Sequence, residues 1–101
     1  MTLVGQDVLH RVGRRNVPLQ NWLTKWAAMV ENTVWHSLID VPKAYPTADG
    51  VQLKNRVVTV FNVKGNEYRL LTLIDYDAGI VEVLDVVTHA EYDKNSWKDK
   101  Y

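Results

Sequence analysis

The chain is 101 residues long, 47% hydrophobic and 24% charged, with 12 Lys plus Arg set against 12 Asp plus Glu, 3 His and no Cys. That length supplies one core and not two, so a single domain over residues 1–101 is expected, and four Trp, five Tyr and one Phe argue against disorder. The lack of Cys excludes disulfides, thiolate zinc and a Cys nucleophile and fits a cytoplasmic setting, while zero net charge withholds the basic excess usual where many phosphates are neutralised. Residues 1–8 have no basic leader pattern and no 18-residue apolar run follows, so neither a signal peptide nor a membrane partner is expected.

From Asp7 to Asn16, Val8, Leu9 and Val12 alternate with Arg11, Arg14 and Arg15 in the manner of a short amphipathic helix. Pro18 opens a second helix, in which Leu19, Trp22, Leu23, Trp26, Val30 and Val34 recur on one face. Residues 42–50 hold two prolines and a closing Asp-Gly, which predicts a loop. Three β-rich runs follow, Val57 to Val63, Glu67 to Tyr76 and Ile80 to Val87, separated by short Gly-containing turns that predict an antiparallel meander. Val51 to Leu53 and Thr2 to Val4 are weaker strand candidates. Alternation in the middle strand puts Arg69, Leu71, Leu73 and Asp75 on one side. In the last strand it puts Val81, Val83, Asp85, Val87 and His89 on one side, with Asp85 and His89 about 13 Å apart and out of direct contact. Thr88 with Glu91 three residues on predicts a capping box and a short terminal helix.

That cap sets His89 at the first helical position, where the positive end of the helix dipole disfavours imidazolium and leaves a neutral imidazole able to take a proton. Tyr92 and Lys94 follow within one and a half turns. The same spacing fits a purely structural role, in which Tyr92 packs and His89 bonds a backbone carbonyl. Arg69, in a central strand, must be paired, solvent-facing or aimed at an anion, and nearby carboxylates leave a salt bridge open. The turn at Lys64-Gly65-Asn66 needs a positive φ, which Gly65 supplies and Asn66 tolerates, and Asn62 can bond the loop. His10, His36 and His89 fall on three elements with no ligand spacing, and there is no phosphate loop or nucleophile elbow, so neither a metal nor a cofactor is expected.

The blocks Val60-Phe61-Asn62-Val63-Lys64-Gly65-Asn66-Glu67-Tyr68-Arg69-Leu70 and Thr88-His89-Ala90-Glu91-Tyr92-Asp93-Lys94 resemble those of the HigB family of bacterial toxins. Members are mRNA interferases of type II toxin–antitoxin modules and commonly cut mRNA at the ribosome. The resemblance implies an α+β, RelE-like fold, with two N-terminal helices packed on a small antiparallel sheet and a short C-terminal helix. It further implies an endoribonuclease that needs no metal, with Arg69, His89, Tyr92 and Lys94 at the catalytic centre. Lys54, Arg56, Asn62, Lys64 and Asn66 would edge the RNA groove, and a HigA-like helix-turn-helix antitoxin would cover the basic face. Relatives often carry a cation near the position of Asp85, so an acid there predicts repulsion of phosphate. The rival reading is a non-catalytic RNA- or protein-binding module, such as a toxin homologue whose chemistry has decayed; a DNA-binding regulator fits worse, since no helix-turn-helix pair follows.

Overall fold

The computed structural model describes residues 1–101. A short strand β1 (Thr2–Val4) turns into α1 (Gln6–Gly13) through Gly5, whose φ of 85° and lack of a side chain are both required, because a Cβ there would stand 2.7 Å from the Val83 carbonyl oxygen. Helix α2 (Val17–Glu31) starts where Asn16 accepts a hydrogen bond from the Leu19 N–H at 3.1 Å, with Pro18 in the first turn. It ends sooner than its apolar spacing predicts. The Asn32 side chain donates to the Ala28 carbonyl at 2.7 Å and closes the last turn, so Val34 leaves the helix and is 67% exposed.

The expected loop at 42–50 is partly ordered. Val41–Ala44 form one helical turn, α3, with Pro42 at its start, and Asp49–Gln52 form strand β2. Three longer strands follow, β3 (Val57–Val63), β4 (Tyr68–Asp75) and β5 (Ile80–Thr88), then α4 (His89–Asp93) and a 3₁₀ turn (Ser96–Asp99). The expected meander is the centre of a five-stranded sheet ordered β1-β5-β4-β3-β2, antiparallel except where β1 runs parallel to β5. Both weak strand candidates therefore pair at its edges.

The sheet is covered on both faces. Leu19, Leu23, Trp26 and Val30 of α2 pack with Phe61, Val63, Leu70, Val81, Val83 and Val86 on one side. On the other, Val58, Val60, Leu71 and Val87 pack under Trp97 of the C-terminal segment, with Tyr92 and Tyr101 beside them. This two-sided burial is the reason the strands read as nearly continuous apolar runs. Strict alternation fails in β5, because Leu71 pairs with Asp85 while Thr72 pairs with Val83, leaving Leu84 as the extra residue of a β-bulge. The bulge turns Val81 and Val83 toward the helices and Asp85 and Val87 toward the C-terminal segment, correcting the expectation that all four share a side. No helix is long and apolar enough to cross a membrane.

Candidate active site

Arg69 stands on β4 between Asn62 of β3 and Val87 of β5, on the face that carries α4. It is 8% exposed, and no carboxylate lies within ion-pair distance of it. Its Nη1 donates to the Tyr68 carbonyl at 3.1 Å and more weakly to the Asn66 carbonyl at 3.4 Å, and its Nη2 donates to Asn66 Oδ1 at 2.7 Å. Nε has no protein acceptor and is not sealed from solvent. A buried guanidinium held only by neutral oxygens keeps its full positive charge, and its planar fork is fixed in one orientation. The turn makes this possible, because the positive φ values fall at Lys64 (51°) and Gly65 (71°). Asn66 is spared that strain and its side chain is free to hold Arg69.

Above Arg69 lies the ring of Tyr92, 5.6 Å from the guanidinium carbon, close enough for a cation–π contact. Tyr92 in turn stacks on Trp97, with ring centroids 5.3 Å apart, and Trp97 Nε1 donates to the Tyr92 carbonyl at 3.1 Å. Burial pushes the Tyr92 phenol above its ordinary value, the nearby Asp49 carboxylate adds to this, and Arg69 opposes it. The hydroxyl is therefore a neutral donor at physiological pH.

The predicted capping box is present: Thr88 accepts from the Glu91 N–H and Glu91 accepts from the Thr88 N–H, both at 3.1 Å. The Glu91 carboxyl is held below its ordinary value by those bonds to Thr88. His89 is anchored by its own N–H, which donates to the Glu67 carbonyl at 3.0 Å, two residues before Arg69. Its Nδ1 lies 3.1 Å from Asp93 Oδ2. A proton on Nδ1 directed at Asp93 leaves Nε2 as the open nitrogen, which can accept a proton from a bound group. His89 and Tyr92, three residues apart, share one side of α4.

The other expected site residues divide. Arg69, Tyr92, Asn62 and Asn66 come together, and His89 adjoins them along α4. Lys94 emerges roughly 160° around the helix from Tyr92 and lies toward Glu91, whose carboxyl it helps to hold down. Lys64 is paired with Glu67 at 3.1 Å. Lys54 and Arg56 precede the other end of β3, with Arg56 six residues from Asn62 or about 20 Å by strand rise. Asp85 shares the sheet face of Arg69, but its Oδ1 accepts from the Val86 N–H at 2.8 Å and its Oδ2 from the Tyr101 hydroxyl at 3.3 Å, so it fastens the C-terminal segment to the sheet.

Sequence reasoning misses three neighbours. Asp93 is visible as the i+4 partner of His89. Asp49 reads as half of a turn dipeptide. Trp97 lies beyond the recognisable block, and nothing in the sequence ties it to Tyr92. No three His, Asp or Glu side chains gather to hold a metal ion. None of Arg69, His89 or Tyr92 lines a cavity.

Comparison with known proteins agrees with this picture in one respect. The family model HigB_toxin, described as the RelE-like toxic component of a toxin-antitoxin system, matches residues 19–95. No curated protein matches the chain. The matched span runs from α2 through α4 and includes every residue around Arg69 described above except Trp97.

Proposed function

The chain belongs to the HigB toxin family, the toxic side of a toxin–antitoxin system, and from that premise we propose that it is an endoribonuclease acting on mRNA at the ribosome. The reading rests above all on Arg69, a buried guanidinium without a carboxylate partner that lies under the ring of Tyr92, with His89 on the same short helix as that tyrosine. Such a charge destabilises a fold unless an anion meets it. A phosphate in the RNA backbone is that anion.

In the proposed reaction the ribose 2′-oxygen attacks the adjacent phosphorus, the new P–O bond forms as the bond to the 5′-oxygen breaks, and the products are a cyclic phosphate and a free 5′-hydroxyl. His89 Nε2 accepts the 2′-hydroxyl proton, and Arg69 carries the charge that builds on the phosphorane oxygens. The neutral Tyr92 phenol stands beside the departing 5′-oxygen and donates the proton that completes the free 5′-hydroxyl. Asn62 and Asn66 line the approach, and Lys94 contributes a more distant positive field. The step needs no metal and no covalent enzyme intermediate. The partner is a HigA-like antitoxin that covers this face and withholds Arg69 from RNA.

Expression of the chain without its antitoxin, followed by growth and by mapping of mRNA ends, tests the proposal. Wild type should arrest growth and cut mRNA, while His89→Ala and Arg69→Ala should do neither. Equal cleavage by both variants would remove the assigned centre; RNA binding with no cleavage by wild type would favour a decayed homologue.

A further inference from the structure

A second concentration of positive charge lies away from Arg69. The turn between β2 and β3, with Lys54, Asn55 and Arg56, faces Lys98, Asp99, Lys100 and Tyr101 across a cleft of about 310 Å³. Four cations line it against the single side-chain carboxylate of Asp99, and none of the four is ion-paired. Even with a main-chain carboxylate at Tyr101 the balance stays positive.

Both walls are held in place. The Leu53 N–H donates to the Arg56 carbonyl at 2.7 Å and the Gln52 side chain donates to the Leu53 carbonyl at 2.8 Å, which closes the turn that carries Lys54 and Arg56. Opposite, Trp97 is buried and tied to Tyr92, Lys98 lies 5.9 Å from the centre of the Trp97 ring, and the Tyr101 hydroxyl is bonded to Asp85. Like charges that line one cleft without ion-pair partners repel one another, and a bound anion relieves that repulsion.

We propose that this cleft takes a second backbone phosphate of the same RNA strand, so that RNA runs from Arg69 over the Tyr92–Trp97 stack to Lys98 and Lys100. The inference rests on the nuclease reading above and adds to it a length requirement. Arg56 and Asn62, which mark the two ends of the path, are six residues or about 20 Å apart along β3, a span too long for a dinucleotide and within reach of a longer strand. Lys98 and Lys100, outside the matched family span, become binding residues that have no part in the chemistry.

The test uses full-length protein and uncleavable 2′-deoxy oligonucleotides, one of two nucleotides and one of about ten, with binding followed by fluorescence anisotropy over a range of salt. For Lys98→Ala with Lys100→Ala, the long strand should bind about tenfold more weakly and its salt slope should fall by about 0.7 for each phosphate no longer neutralised. The dinucleotide should be unaffected, and Lys98→Arg with Lys100→Arg should restore the long strand. Circular dichroism of each variant establishes that it is folded. Equal losses for both lengths, or no loss for either, would overturn the cleft while leaving cleavage, measured separately on RNA, to stand or fall by itself. A wild type that cuts no RNA yet binds long strands through these lysines would refute the nuclease and retain the cleft; one that cuts RNA but does not bind the long strand would overturn the cleft and retain the nuclease.

Discussion

Replacing Arg69 by Met separates a functional charge from a structural one. The change deletes two well-formed hydrogen bonds, at 2.7 and 3.1 Å, a weaker one at 3.4 Å and the stacking of the guanidinium on Tyr92. Bonds to a charged donor contribute about 1.5–3 kcal/mol each and the ring interaction about 1 kcal/mol, so about 5 kcal/mol of favourable interaction disappears. Against this, the buried guanidinium has no carboxylate to offset its desolvation, a cost of several kcal/mol that goes with it. Met is unbranched and fills the same volume beside Val87, and Asn66 is exposed, so its freed oxygens return to water. The net effect on stability should lie within about 2 kcal/mol of zero, or roughly 10 °C in Tm for a domain this size. Catalysis should behave otherwise, since deleting a group that stabilises developing charge typically costs about 10²- to 10³-fold in kcat. Thermal unfolding by circular dichroism and cleavage of a defined RNA measure the two independently. A Tm fall of more than about 20 °C, or cleavage within a few-fold of wild type, would refute the reasoning.

Three further outcomes follow from the same geometry. Tyr92→Phe keeps the stack on Trp97 and should leave Tm nearly unchanged while slowing cleavage, whereas Tyr92→Leu breaks the stack, should cost about 2 kcal/mol and should shift Trp97 fluorescence. Thr88→Ala should cost about 1 kcal/mol by removing the cap of α4. Because the folded Glu91 carboxyl is held below the ordinary 4.5, its contribution is complete above that pH and is lost as pH falls through the lower folded value; the acid side of a stability–pH profile should flatten in the Thr88→Ala variant, and an unchanged profile would count against the capping role. Gly5→Ala forces a side chain into a φ of 85° and toward the Val83 carbonyl, and should lower stability by about 2 kcal/mol or more as read by urea unfolding.

The sequence makes some of this legible for physical reasons that differ from element to element. The spacing of Leu19, Leu23, Trp26 and Val30 reports one buried helical face directly, and the Thr88–Glu91 pair reports a cap, because both signals are local. The end of α2 is not legible in the same way, because apolar periodicity continues to Val34 after the Asn32 side chain has closed the helix. The bulge at Leu84 leaves no mark in the pattern, since a single added residue keeps composition unchanged while reversing the facing of every later side chain. The environment of Arg69 is the least legible part. Tyr92, Asn66 and Asp49 come from three separate stretches, and only the pairing of β2, β3, β4 and β5 brings them to one face.

The neutral net charge, which weighs against a nucleic-acid partner when read as a total, loses that force once the charges are located. Asp75 and Asp77 flank the β4–β5 turn with Glu82 on the β1 edge, at the end of β4 opposite Arg69. Asp85, the acid most expected to repel phosphate, spends both oxygens fastening β5 and Tyr101. Arg69 on β4, beside Asn62 near one end of β3, and Lys54, Arg56, Lys98 and Lys100 toward the other end remain without carboxylate partners. At physiological ionic strength the field of an exposed charge decays over about 8 Å, so an anion approaching this face is screened from Asp75, Asp77 and Glu82 and responds to Arg69 and the four cations of the cleft, offset by the nearer acids Asp49, Asp93 and Asp99. Affinity for a charged backbone is therefore set by the partition of charge between faces, and a chain whose sum is zero can still present one basic track.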